Sequence, residues 1–247
     1  MGLRHVFSIL FWGFLVTTSF ACFPIAVLIW AVTAPFDPKL RLLHQFTCFW
    51  ASLYTWFNPA WPVHIEGLEH IQPDEAYVMV ANHQSLLDIL VMFRLFNHYK
   101  WVSKIENFRL PLIGLNMRLN RYIELRRGDR ASVMQMLENC TRALNDGNSI
   151  MMFPEGTRSL DGKMRDFKPG AFELALKCER PLLPIVLDGT SNALPKRGFV
   201  LQGRHDIKLK VLAPLPAAEF AHQTVDELSD RVRKLIASEL ERGTGRS

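Results

Sequence analysis

Apolar and polar positions along the chain fall into two regimes. From Val6 to Ala34 no side chain carries a charge, a run of 29 residues. A helix needs only about 20 apolar residues to cross a bilayer core about 30 Å thick. A secretory leader would have an apolar stretch of about 7–15 residues followed by a small-residue cleavage site. Pro35-Phe36-Asp37-Pro38 is a poor site of that kind, so the run reads as a membrane anchor, with Pro24 placed where it can kink a helix. A second segment, Leu40 to Phe57, is apolar but carries Arg41 and His44. Its Trp50, Tyr54 and Trp56, followed by Trp61, are rings suited to the headgroup layer. We expect a half-inserted or interfacial helix packed against the first, with an ordinary core helix as the competing reading. Lys39 and Arg41 after the run outnumber Arg4 before it, which favours the rest of the chain facing the cytoplasm from an inner membrane or its equivalent.

Beyond Pro62 the pattern changes to short aliphatic runs alternating with longer helical ones. Strands are predicted at 63–67, 77–82, 122–125, 149–153, 182–187 and 207–212, and more weakly at 100–104. Helical periodicity covers Leu86–Phe96, Arg130–Asn145, Ala171–Cys178 and Val225–Glu241. In the last of these Val225, Leu228, Val232, Leu235 and Ile236 share one face. Strands alternating with helices predict an α/β domain, a mostly parallel mixed sheet flanked by helices. The chain thus divides into N-terminal anchoring helices over 1–62 and an α/β domain over 63–247. The closing segment, Arg242 to Ser247, reads as a frayed tail.

Composition narrows the classes. The chain has 247 residues, 49% apolar and 21% charged, which excludes global disorder. A net charge of +5 suits nucleic acid, an anionic membrane surface or phosphorylated small molecules. No basic helix or aromatic-studded basic strand appears, so nucleic acid is not an expected partner. Cys22, Cys48, Cys140 and Cys178 are scattered and form no C-x-x-C pair, so they read as buried thiols rather than disulfides or a zinc site. No metal is expected.

Two polar interruptions of the apolar pattern carry the chemistry. The first, in "VMVANHQSLLDILVMF", sets Asn82, His83, Gln84, Ser85 and Asp88 between a predicted strand and a predicted helix. Ligands of parallel α/β sheets gather where strands end and helices begin. His83 and Asp88 are five apart, which is poor spacing within one helix, yet across a turn the carboxylate can swing back to the imidazole. Such a pair fixes the tautomer and makes the other ring nitrogen a better base. A histidine merely satisfied near the core is the plain alternative. Ser85 reads as a helix cap, since the G-x-S-x-G nucleophile motif is absent.

The second interruption is "MMFPEGTRS", Met151 to Ser159, again after an apolar strand. Gly156 permits close backbone approach, Thr157 offers a hydroxyl, and Arg158 presents a planar fork suited to phosphate. Lys163, Arg165 and Lys168 continue a basic loop to Gly170. A solvated arginine in a turn would explain this loop alone. A base and an anion fork at two strand ends of one sheet are harder to dismiss.

"NHQSLLD" and "FPEGTRS" together resemble the signature of the glycerolipid acyltransferases, specifically the 1-acylglycerol-3-phosphate (lysophosphatidic acid) acyltransferases. The H-x-x-x-x-D motif falls on His83 and Asp88, and E-G-T-R on Glu155, Gly156, Thr157 and Arg158. A middle strand motif of the family, G-x-x-F-I-x-R, is matched by "NRYIELR", where Asn120 replaces glycine, Ile123 replaces phenylalanine and Arg126 is kept. A late proline of the family corresponds to Pro184, "FKPGAFELA" resembles the segment after the phosphate loop, and the likeness covers roughly Gly67 to Pro214.

The resemblance implies transfer of a fatty acyl group from acyl-CoA or acyl carrier protein to the free sn-2 hydroxyl of a lysophospholipid, at a membrane and without a cofactor. It makes His83 the base and Asp88 its orienter. Glu155, Gly156, Thr157 and Arg158 become substrate-binding residues, and Arg126 and Lys104 add positive charge. Within the same fold the acceptor could instead be another lysolipid or glycerol 3-phosphate. A non-catalytic, membrane-tethered lipid-binding protein is the alternative of another class, and a lipid hydrolase is disfavoured by the missing nucleophile elbow.

Overall fold

The computed structural model describes residues 2–159, 163–196 and 199–244. Two helices come first, α1 (Leu3–Thr33) and α2 (Arg41–Trp56). The remainder alternates β1 (Val63–Glu66), β2 (Val78–Ala81), α3 (Leu87–Met92), β3 (Tyr99–Lys104), α4 (Ile113–Leu119) and β4 (Ile123–Leu125). It continues through α5 (Arg130–Asn145), β5 (Ser149–Met152), α6 (Gly170–Cys178), β6 (Leu182–Asp188) and α7 (Thr190–Ala193). β7 (Ile207–Val211), α8 (Ala217–Phe220) and α9 (Val225–Thr244) close the chain.

The seven strands form one sheet in the order β1-β7-β6-β2-β5-β3-β4. All neighbours are parallel except β6 and β7, so the sheet is mixed and mostly parallel. The central strands β2 and β5 are buried at every position, as strands covered on both faces must be, whereas edge strand β1 alternates. Residue parity sorts the two cores. Met79 and Ala81 of β2, with Tyr77 just before it, face a layer that includes α2 and α3, while Val78 and Val80 face α5, α6 and α9. Leu228, Val232 and Ile236 are the fully buried part of the α9 stripe. Asp129 starts α5 by accepting from the backbone N–H of Ser132 at 3.2 Å.

Where periodicity predicted one helix over Leu86–Phe96, the chain forms α3 and then tightens into a 3₁₀ turn at Phe93–Leu95 before Phe96 turns left-handed at φ 49°. The weakly predicted strand at 100–104 is β3, six residues long, with Tyr99, Lys100 and Trp101 buried. Helix α9 runs to Thr244, into the segment expected to fray, and residues 245–247 of that tail lie outside the described residues.

Helix α1 is unbroken through Pro24 and is long and apolar enough to cross a membrane. Its buried positions, Ser8, Phe11, Ser19, Cys22 and Ala26, make one narrow stripe; the rest of its surface is largely exposed apolar side chain. A helix so apolar and so little covered by protein fits association with a membrane. It touches the rest of the chain repeatedly. Leu201 N–H donates to Ser8 Oγ at 2.9 Å, Trp12 Nε1 to the Phe199 carbonyl at 2.8 Å, and Thr18 hydrogen-bonds Tyr54. Helix α2 packs against α1 and also sends Cys48, Trp50, Ala51 and Tyr54 into the core beneath β2. Its other side exposes Leu42, Phe49 and Trp56. One helix therefore carries both an inner face and an exposed face bearing large apolar side chains.

Candidate active site

Strands β2, β6, β5, β3 and β4 all point the same way, so their C-terminal ends line one edge of the sheet. Beyond the last residue of β2, Asn82 continues the pairing with its side chain. Its Nδ2 donates to the Leu187 carbonyl at 2.7 Å and its Oδ1 accepts from the Leu187 N–H at 2.8 Å. The amide thus acts as one more strand residue and holds the following turn against β6. The chain then reverses through His83, Gln84 and Ser85 into α3.

Asp88, in the first turn of α3, is fully buried and swings back over that turn. Its Oδ2 accepts from His83 Nδ1 at 2.8 Å, Gln84 N–H at 2.6 Å and Ser85 N–H at 2.8 Å. Its Oδ1 accepts from the Thr190 hydroxyl. An ionised carboxylate only accepts, so Nδ1 carries the imidazole proton and Nε2 presents a lone pair. Among the described residues no group hydrogen-bonds Nε2. The ring lies face to face with Phe153 at 4.0 Å between centroids and 9° between planes, which fixes its tilt. Ser85 accepts from Leu87 N–H at 3.1 Å, a capping contact, while its own hydroxyl donates to the Leu194 carbonyl.

The second sequence patch follows β5, the neighbour of β2. Glu155 is 3% exposed and its carboxylate bridges two loops, Oε1 accepting from His83 N–H at 2.7 Å and Oε2 from Arg165 N–H at 2.9 Å. Burial raises its carboxyl above the ordinary range, opposed by the backbone N–H groups of Arg165 and His83 that it accepts from. Gly156 sits at φ +68°, and a Cβ there would come within 2.8 Å of the Lys168 side chain, so glycine suits the position twice over. The Arg158 backbone carbonyl accepts from Lys196 Nζ at 2.6 Å. The Arg158 guanidinium is half-buried and makes no ion pair or hydrogen bond among the described residues.

His83, Asp88 and the 155–158 loop are therefore adjacent, on neighbouring strand ends tied by the Glu155 and Ser159 contacts to the His83 backbone. Lys104 and Arg126 end β3 and β4 on the same sheet edge, about 5 and about 10 Å further along by strand spacing. Both face acidic neighbours, Lys104 with Glu106 at 3.3 Å and Arg126 with Asp129 at 3.8 Å. Arg126 also lines a groove of about 860 Å³ on the outer side of β4, together with Lys100, Arg118, Arg121 and Arg142. That groove includes none of His83, Asp88 or Glu155 to Arg158. Among the described residues no three His, Cys, Asp or Glu side chains gather as a metal site. Sequence reasoning assigned no role to Thr190, Asn82 or Phe153. Their only signal was position, each lying just past the end of an apolar strand on this edge.

An Acyltransferase family model matches residues 62–188. A 1-acyl-sn-glycerol-3-phosphate acyltransferase of Chlamydomonas reinhardtii is 36% identical over 243 residues, 96% of this chain and 70% of that protein. The chloroplastic LPAT1 enzyme of that name from Arabidopsis thaliana is 34% identical over 83% of this chain and 56% of its own length. The alpha enzyme of that name from Ovis aries is 36% identical over 69% of this chain and 60% of its own length. The crystal structure of the 1-acyl-sn-glycerophosphate (LPA) acyltransferase PlsC from Thermotoga maritima superposes with a TM-score of 0.79, covering 99% of each chain at 23% identity, and so shares the fold. With its sheet-edge His–Asp pair inside the matched span, the chain belongs to the acyltransferase family and is an enzyme. Within that family it stands with the 1-acyl-sn-glycerol-3-phosphate acyltransferases.

Proposed function

We propose that this enzyme moves a fatty acyl group from an acyl thioester, acyl-CoA or acyl-ACP, to the sn-2 hydroxyl of 1-acylglycerol-3-phosphate, giving phosphatidic acid. The observation that carries this reading is the buried His83–Asp88 pair, set one strand from Arg158, with neither Nε2 nor the Arg158 guanidinium bonded among the described residues. The names of the relatives support the acceptor.

In this mechanism His83 Nε2 takes the proton of the acceptor hydroxyl as its oxygen attacks the thioester carbonyl. Such help is worth about 10²–10⁴-fold. The C–O bond forms, the C–S bond breaks, and the departing thiolate takes the proton back from the imidazolium. Asp88 keeps Nε2 in its basic form and offsets the charge His83 gains. A thiolate leaves readily, so no acyl-enzyme is needed and both substrates bind together. Arg158, helped by Gly156 and Thr157, holds the acceptor phosphate and so fixes the hydroxyl against His83. Glu155 orders the loop from beneath. Lys104 and Arg126 extend the positive edge toward the phosphorylated donor.

The 1–62 helices act as the anchoring unit of the 63–247 catalytic domain and keep it on the cytoplasmic face of its membrane, where acceptor and product both reside. The test is a transfer assay on purified full-length protein with 1-acylglycerol-3-phosphate, other lysolipids and glycerol 3-phosphate, each with acyl-CoA and acyl-ACP. Preference for 1-acylglycerol-3-phosphate is expected. Faster transfer to an acceptor without phosphate would overturn the assignment of Arg158, and release of free fatty acid without any acceptor would make the enzyme a hydrolase.

A further inference from the structure

Asp88 divides its two oxygens unequally. Oδ2 holds the imidazole and two backbone N–H groups from its own turn, all within five residues. Oδ1 has one partner among the described residues, the hydroxyl of Thr190, 102 residues away in sequence. Thr190 is fully buried and opens α7 directly beyond β6. The chain reaches it through Gly189, at φ +80°, where a Cβ would come within 2.2 Å of the Asp206 carbonyl oxygen. That turn is one only glycine fits, and it delivers the hydroxyl beneath the carboxylate. Three contacts lock this segment to the catalytic turn: the two Asn82 bonds to Leu187 and the Ser85 bond to Leu194.

From this geometry we infer that Thr190 is a positioning residue for the reaction, acting through Asp88. The inference rests on the reading of His83 as the base. The three Oδ2 bonds converge on one atom, and a carboxylate pivoting about that atom would leave the plane of the imidazole. The Thr190 bond is the contact that holds the far oxygen against such a pivot. Because threonine is branched at Cβ, its χ1 is restricted and the hydroxyl is aimed with little freedom. A segment outside both sequence patches thereby completes the site.

The experiment compares Thr190→Val and Thr190→Ser with wild type in full-length, membrane-reconstituted enzyme, measuring kcat, KM for donor and acceptor, and thermal unfolding. Valine keeps the shape and removes the donor. We expect kcat to fall at least tenfold in Thr190→Val, both KM values to stay within twofold, and Thr190→Ser to return kcat to within threefold of wild type. If the valine variant does not fold, Thr190→Ala takes its place in the same comparison. A kcat within twofold of wild type, a loss carried only by KM, or a serine variant as impaired as the valine one would each overturn the inference. His83→Ala is the control that separates this inference from the function beneath it. An inactive His83→Ala enzyme beside an unimpaired Thr190→Val enzyme removes only the role of Thr190, whereas an active His83→Ala enzyme removes the base itself.

Discussion

Replacing Glu155 with glutamine changes one oxygen for one NH₂ group at the point where three segments meet. In the native site the carboxylate accepts from His83 N–H at 2.7 Å and Arg165 N–H at 2.9 Å, so both oxygens are committed. The amide keeps one acceptor and turns an N–H donor toward the other backbone N–H. Hydrogen bonds to a charged partner are worth about 1.5–3 kcal/mol, and a buried donor left unsatisfied costs about 1–3 kcal/mol. Relief of carboxylate burial offsets part of the loss, since burial already raises this carboxyl. A net destabilisation of about 1–3 kcal/mol follows, which for a chain of this size lowers Tm by about 2–12 °C. Because Glu155 holds the His83 backbone, the imidazole should also shift, and a misplacement near 1 Å can cost about 100-fold in kcat. A carboxyl raised in the folded state contributes most at low pH and loses that contribution as pH rises through its folded value. The stability gap between wild type and Glu155→Gln should therefore narrow as pH climbs above the ordinary carboxylate range. Thermal unfolding in detergent across pH and steady-state transfer kinetics supply the measurements. An unchanged Tm with kcat within twofold would refute the bridging role, and a loss confined to acceptor KM would mean that Glu155 touches substrate.

Four other substitutions probe three parts of the molecule. His83→Ala and Asp88→Asn should each lower kcat by about 10²–10⁴-fold with the domain still folded; turnover near wild type in either would remove the base from the mechanism. Arg158→Ala should raise KM for the phosphorylated acceptor by about 10–100-fold, the worth of one charge-assisted contact, with donor KM little changed; an acceptor KM that stays put would count against the phosphate clamp. Lys100 is buried under the β3–β4 edge, donating to the carbonyls of Lys39 and Asn120. Burial first, and the Arg121 charge second, lower its pKa from 10.5 to about 7 against a smaller pull from Asp37. The unfolded chain then binds more protons between those values, so wild type should gain up to about 1.4 kcal/mol per pH unit as pH rises from about 7 to 10. Lys100→Met should lack that slope in pH-dependent melting; equal slopes in both proteins would show that the lysine stays charged.

What could be read from the sequence was what period and local spacing encode. Strands β2, β5 and β6 are continuous apolar runs because both faces are buried, and α9 shows its stripe because one face is. Strand β3 was weaker because Lys100 and Ser103 interrupt it, yet the lysine is buried where two backbone carbonyls accept from it. Helices α4, α7 and α8 are too short to establish a period of 3.6 residues, and none was foreseen. Segment 41–56 looked ambiguous between interface and core because its two sides do different things.

The site divides along the same line. His83 and Asp88 could be paired from sequence because the turn between them is local, and the Arg158 loop stood out because an apolar strand gives way to Pro154-Glu155-Gly156-Thr157-Arg158. Thr190, Asn82 and Phe153 act only through partners that the sheet order brings near, 102, 105 and 70 residues away. Nothing in a local window distinguishes such residues from ordinary polar or aromatic ones. The dependence runs in one direction. The motif supplies the histidine and its carboxylate, but the orientation of that carboxylate comes from β6 and α7, through the register that sets Val80 beside Pro184 and Ala81 beside Ile185. Moving that register by one residue would turn the Leu187 backbone amide and carbonyl away from Asn82 and withdraw Thr190 from Asp88. The buried run Leu182–Leu187 of β6 thus serves the site as much as the core, because it and the α7 start beyond it hold the His83–Asp88 turn at both ends.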